Sequence, residues 1–98
     1  MTINKVQDGS SIVFSLEGRL DTTTAPMLEN EVKNSLEGIT DLTLDFNALE
    51  YISSAGLRVI LAAQKIMNKQ GSMKIVGVSS DIMEVFDITG FSDILTIE

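Results

Sequence analysis

The sequence predicts an α/β fold in which an N-terminal β-hairpin leads into a mixed, mainly parallel sheet, in the order β-β-α-β-α-β-α-β. Three observations predict it. Apolar residues alternate with others over Ser11–Glu17 and again over Asp41–Phe46, the period-2 pattern of strands with one face more buried. After each of these strands comes a stretch whose apolar residues recur at helical spacing. Strands that alternate with helices require crossover connections and mainly parallel neighbours.

Taken in order, Thr2–Gln7 reads as a weaker edge strand, and the Asp8-Gly9 pair is a turn that joins it to Ser11–Glu17 as an antiparallel hairpin. In that second strand Ile12, Phe14 and Leu16 share the more buried face. Thr22, Thr23 and Thr24 then offer N-cap hydroxyls and Pro26 fits a first helical turn. Leu28, Val32 and Leu36 form the apolar stripe of this helix, which stops near Gly38. Leu42, Leu44 and Phe46 mark the third strand. From Ala55 to about Lys69 a second helix points Leu57, Ile60, Leu61 and Met67 inward, while Arg58, Lys65 and Lys69 give its exposed edge a basic character. Gly71 ends that helix, and Met73–Val78 reads as the fourth strand. Ser80 or Asp81 is expected to cap a short third helix with Ile82, Val85 and Phe86 inward and Gly90 at its C-terminal end. Ile94–Ile97 is expected to add a last short strand.

Composition narrows the function. Ninety-eight residues suffice for one apolar core, and no repeat, linker or low-complexity tract divides them, so residues 1–98 read as a single domain. Cysteine and histidine are both absent, which removes thiolate catalysis, the commonest general base and the commonest metal ligands. No cofactor or metal is expected. No apolar run approaches the roughly 18 to 20 residues of a membrane span, so a soluble, cytoplasmic protein without direct membrane insertion is the expectation. Seven basic against 14 acidic residues give a net charge of −7, which repels nucleic acid and favours a protein partner with basic patches.

The stretch Tyr51-Ile52-Ser53-Ser54-Ala55-Gly56 places two serines where a strand turns into a helix. A hydrolase's G-x-S-x-G elbow needs a glycine that is missing here, and a serine nucleophile needs a base. The nearest lysine in sequence, Lys65, lies about three turns down the following helix, roughly 15 Å away at a 1.5 Å rise per residue. Serine hydrolase chemistry is therefore disfavoured. The ordinary role of a serine at such a turn is to cap the helix, and one serine satisfies it. Two in succession leave a hydroxyl that another protein can reach.

The segment LEYISSAGLRVILAA (49–63) resembles the signature of the anti-sigma factor antagonist family, the bacterial STAS domains, in which a strand ends in a D/S-S-S/T/A-G-L turn before a helix. LEGRLDTTTAP (16–26), GSMKIVGVS (71–79) and DITGF (87–91) resemble other segments of that family, in the right order and over nearly the whole chain. The resemblance implies a STAS-like fold and a regulatory switch. The unmodified antagonist sequesters an anti-sigma factor that is also a serine kinase and so releases a sigma factor. Phosphorylation by that kinase inactivates the antagonist, and a PP2C-type phosphatase resets it. By motif position the phosphoacceptor is Ser54. Ser53 stands where many members carry aspartate, Ala55 where many carry serine or threonine, and Asp21 matches the family's L-D element.

Asp21, Ser53, Ala55, Gly56 and Arg58 are accordingly expected to surround Ser54 as the partner-binding patch. Gly56 is expected to allow close backbone approach there, with alanine at that position leaving the helix intact. The family's C-terminal helix has no counterpart after the last expected strand, so part of a sheet face or edge is expected to be exposed, or covered by a partner or by a second copy in a homodimer. Transport is the alternative reading: a STAS regulatory subunit of a membrane lipid or anion transport system, in which Ser54 is only a cap.

Overall fold

A computed structural model describes residues 1–98. It contains β1 (Thr2–Asp8), β2 (Ser11–Leu20), α1 (Ala25–Ser35), β3 (Asp41–Ile52), α2 (Ser54–Gln70), β4 (Ser72–Val76) and α3 (Ser80–Thr89), followed by a 3-10 turn over Phe91–Asp93. The strands lie in the order β1-β2-β3-β4. β1 is antiparallel to β2, whereas β2, β3 and β4 are mutually parallel. The expected hairpin and mainly parallel sheet are therefore present.

One face of the sheet carries the core. Ile12, Phe14 and Leu16 of β2, Leu42, Leu44 and Phe46 of β3, and Met73 and Ile75 of β4 are buried there. Against them pack Leu28 and Val32 of α1, Ile60, Ala63 and Met67 of α2, and Ile82 and Phe86 of α3, in a single cluster of 24 buried apolar residues. Phe46 and Phe86 bring β3 and α3 together with ring centroids 6.3 Å apart. The alternate residues Val13, Ser15, Thr43, Asp45 and Lys74 are only half-buried, so the opposite face has no helix over it. Leu61 and Val85, expected inside, lie half-buried at the margins of their helices.

Five features differ from the sequence expectation. β2 runs on to Leu20 and β3 to Ile52, because their register shifts between Ser15 and Glu17 and between Gly18 and Arg19. These irregularities break the alternation while backbone pairing continues. β4 stops at Val76. The third helix is capped by neither Ser80 nor Asp81 but by Ser79, whose hydroxyl accepts the Ile82 N–H at 3.3 Å. The last strand is reduced to one bridge between Ile97 and Ile75: Ile94 keeps helical dihedrals (φ −99°, ψ −36°) to close the 3-10 turn, leaving only the final residues to run beside β4.

Candidate functional site

The serine turn lies at the carboxyl ends of the parallel strands β2 and β3, where Arg19 pairs with Tyr51 and Leu20 with Ile52. In parallel α/β sheets this end gathers binding sites because loops and helix starts converge there. The Ser53 N–H donates to the Leu20 carbonyl at 2.9 Å, which ties the turn to the end of β2. Ser53 is extended (φ −100°, ψ 175°), its hydroxyl accepts the Gly56 N–H at 3.3 Å and its carbonyl accepts the Leu57 N–H at 2.9 Å. Those bonds are the N-cap of α2. Ser54 is the first residue of the helix, and it is exposed, with no hydrogen bond from its hydroxyl to the rest of the chain.

Gly56 behaves otherwise than expected. It is buried, and a Cβ built on it would lie 2.7 Å from Leu20 Cγ, 3.0 Å from Ile52 Cγ1 and 3.0 Å from the Leu20 carbonyl oxygen. Its missing side chain lets α2 start directly against the end of β2. That space is internal to the chain, so Gly56 shapes the turn from within, and an alanine there would strain the turn instead of leaving it intact.

Asp21 opens the adjoining loop between β2 and α1. Its Oδ1 accepts the Thr23 N–H at 3.0 Å, the Thr23 hydroxyl at 2.8 Å and the Thr24 N–H at 3.1 Å. The Thr24 hydroxyl accepts the Asp21 N–H at 2.8 Å and donates to the Arg19 carbonyl at 2.7 Å, so it stitches the loop and makes no cap bond to α1. The Thr23 hydroxyl does most to hold the Asp21 carboxyl below the usual carboxylate range; desolvation, next in size, opposes it, and the Thr24 and Thr23 N–H groups add to the lowering. On the far side, Asp21 Oδ2 stands 3.9 Å from Arg19 Nε, and the Arg19 guanidinium lies over the Tyr51 ring, 4.2 Å from its centroid. Asp21 is thus first a clamp for its own loop, half-buried beside the serine turn.

Ala55 and Arg58 reach the other side of the turn. With Thr22, Pro26 and Glu29 they line an open groove of about 200 Å³ between the starts of α1 and α2. Arg58 is exposed and belongs to no ion pair; the pairs within the chain are Lys5–Glu31, Arg19–Asp21 and Lys33–Glu29. The turn therefore brings Ser53, Ser54, Ala55 and Arg58 to one rim and sets the Asp21 loop next to it. Arg19 and Tyr51 were not singled out in the sequence, because their pairing depends on the register shift that follows Gly18. No three acidic, histidine or cysteine residues converge in a way that would hold a metal ion. No helix is long and apolar enough to cross a membrane.

Comparison with known proteins bears on this arrangement. The sequence pattern of the STAS domain matches residues 2–98. The anti-sigma-B factor antagonist of Bacillus subtilis is 31% identical over 98 residues, which cover 99% of this chain and 90% of that protein. In fold, the chain is similar to an anti-sigma factor antagonist from Mycobacterium paratuberculosis, with a TM-score of 0.88 at 23% identity over 98% of this chain and 83% of that one. It is also similar to the Bacillus cell fate determinant SpoIIAA in its phosphorylated form, with a TM-score of 0.78 at 16% identity over 99% and 91%. A match along almost the whole chain, joined to shared sequence with a named antagonist, settles its kinship: the chain belongs to the STAS domain family, among the regulatory binding modules known as anti-sigma factor antagonists.

Proposed function

We propose that this anti-sigma factor antagonist works as a phosphorylation-controlled switch centred on Ser54. With the hydroxyl unmodified, the head of α2 and the neighbouring Asp21 loop dock on an anti-sigma factor that is also a serine kinase, and the sigma factor is released. The kinase transfers the γ-phosphoryl group of ATP to Ser54 Oγ, which loses its proton as ADP leaves. A PP2C-type phosphatase hydrolyses the ester and restores the hydroxyl. The setting is the bacterial cytoplasm.

The observation that carries this reading is the division of roles between the two serines. Ser53 is committed to the cap, whereas Ser54 projects an unengaged hydroxyl from the first position of α2. A phosphate there adds about −1.5 to −2 charges at pH 7, and a helix start tolerates negative charge, so the free fold accepts it. A docked surface built around a neutral hydroxyl does not. Desolvating that charge against an unmatched partner costs roughly 2 to 5 kcal/mol. That the SpoIIAA fold is known in a phosphorylated form accords with the first half of this argument.

The test is to incubate the chain with ATP and its anti-sigma factor, isolated by affinity capture and then produced recombinantly, and to locate the phosphate by mass spectrometry. One phosphate on Ser54, absent in Ser54→Ala and retained in Ser53→Ala, is the expected result. Phosphate on Ser53 with Ser54 untouched, or none at all, overturns the assignment.

A further inference from the structure

We infer that the exposed ridge of α2 is a cationic docking strip, headed by Ser54, that fits an acidic surface on the anti-sigma factor. The inference rests on the reading of Ser54 given above and adds the chemistry of the partner's face.

Ser54, Arg58, Ala62, Lys65 and Lys69 are all exposed. At 100° per residue they fall within about 80° of arc, so they form one ridge roughly 22 Å long. The charges of the chain are sharply segregated around it. From Tyr51 to Ser80 there is no Asp or Glu, while Arg58, Lys65, Lys69 and Lys74 all lie in that segment. The other three basic residues, Lys5, Arg19 and Lys33, are each paired with a carboxylate. Every basic side chain outside the segment is thus paired within the chain, and those inside it have no carboxylate partner. On a molecule of net charge −7, an unpaired +3 strip is a local reversal of sign. Such a strip steers and orients association with a surface of opposite charge.

Net charge alone points to a basic partner; the helix that begins with Ser54 points to an acidic one. The same strip explains how phosphorylation acts beyond the serine itself. A phosphate of about −1.5 to −2 at its head lowers the strip from +3 to about +1 to +1.5 and sets negative charge against the acidic partner face. Two other occupants are less suited. The 14 carboxylates oppose a nucleic acid. A second copy offers Asp81, Glu84 and Asp87 of α3, beside Ile88 at 77% exposure, but joining α2 of one copy to α3 of the next is head-to-tail and leaves both ends open to polymerise.

The experiment titrates the recombinant anti-sigma factor with four forms of the full chain: unmodified, Lys65→Glu/Lys69→Glu, Lys65→Gln/Lys69→Gln and Lys74→Glu, the last being a charge reversal on the open sheet face. Thermal melting checks each fold. The Glu pair is expected to weaken binding about tenfold to a thousandfold, the Gln pair less, and Lys74→Glu by no more than about threefold. The affinity of the unmodified chain should fall as salt rises from about 50 to 300 mM, with a shallower dependence in the Gln pair. Affinity unchanged in both double variants, an equal loss in Lys74→Glu, or self-association of the unmodified chain that the Glu pair dissolves would each overturn the strip. A Ser54→Asp control separates the two levels: if it weakens binding while the lysine variants do not, the strip fails and the switch stands. If neither weakens binding, the switch reading falls with it.

Discussion

Ser53 and Ser54 carry the same side chain and have different roles because one stands just outside α2 and the other just inside it. The outer serine keeps extended dihedrals and turns its hydroxyl back onto the Gly56 N–H; the inner one has adopted the helix and has no such partner. Ser53→Ala should therefore lower stability by about 1 kcal/mol, whereas Ser54→Ala should leave it within a few tenths. Urea unfolding of the two variants checks this contrast, and equal losses would contradict the assigned roles. Gly56→Ala should also destabilise. Helix propensity favours alanine by about 1 kcal/mol, but the added Cβ meets the Leu20 side chain and carbonyl at the distances of a clash. Overpacking of that kind costs about 1 to 3 kcal/mol. A melting temperature several degrees lower is the expected result, since each 1 kcal/mol shifts a domain of this size by about 4 to 8 °C. A variant as stable as the parent would show that the turn has room to spare.

At the level of elements, the regular stretches were legible in the sequence and the irregular ones were not. Ile12-Phe14-Leu16 and Leu42-Leu44-Phe46 keep a strict alternation and Leu28-Val32 keeps the helical one, so these segments could be placed directly. Beyond Phe46 the next buried residues are Leu49 and Ile52, a spacing of three that matches neither a flat strand nor a full helix. The missed ends of β2 and β3 are the ends that build the site. The serine turn was visible nonetheless, because capping chemistry is local. The web around Asp21 was visible only as a run of threonines: which of them bonds the carboxylate is decided by the loop's path. That loop has a pH signature. Asp21 titrates lower in the folded chain than in the unfolded one, so its stabilising contribution is complete above the carboxylate range and is lost as pH falls through the folded value. Asp45, held down first by the Asn47 N–H, contributes with the same sign. Asp21→Asn should give a shallower loss of stability in acid than the parent shows, measured by urea unfolding at successive pH values. An identical acid profile would place the carboxylate's bonds outside the energetics of the loop.

For the whole molecule, the informative feature is the separation of two tasks along one sheet. The helix-covered face, with its 24 buried apolar residues, supplies stability. The carboxyl ends of β2 and β3 present the turn, and on the proposed reading a phosphate on Ser54 adds charge there, away from that core. The proposed switch acts on the partner through surface electrostatics and requires no change of shape in the free chain. The difference between the two states should therefore be seen in affinity. Every 1.4 kcal/mol is about tenfold, so the 2 to 5 kcal/mol mismatch corresponds to roughly 30-fold to several thousand-fold. The most direct test is calorimetric titration of the recombinant anti-sigma factor with the unmodified chain, the chain phosphorylated on Ser54, and Ser54→Ala. The account predicts tight binding by the first and third and a loss within that range for the second. Equal affinities of the unmodified and phosphorylated chains would contradict it.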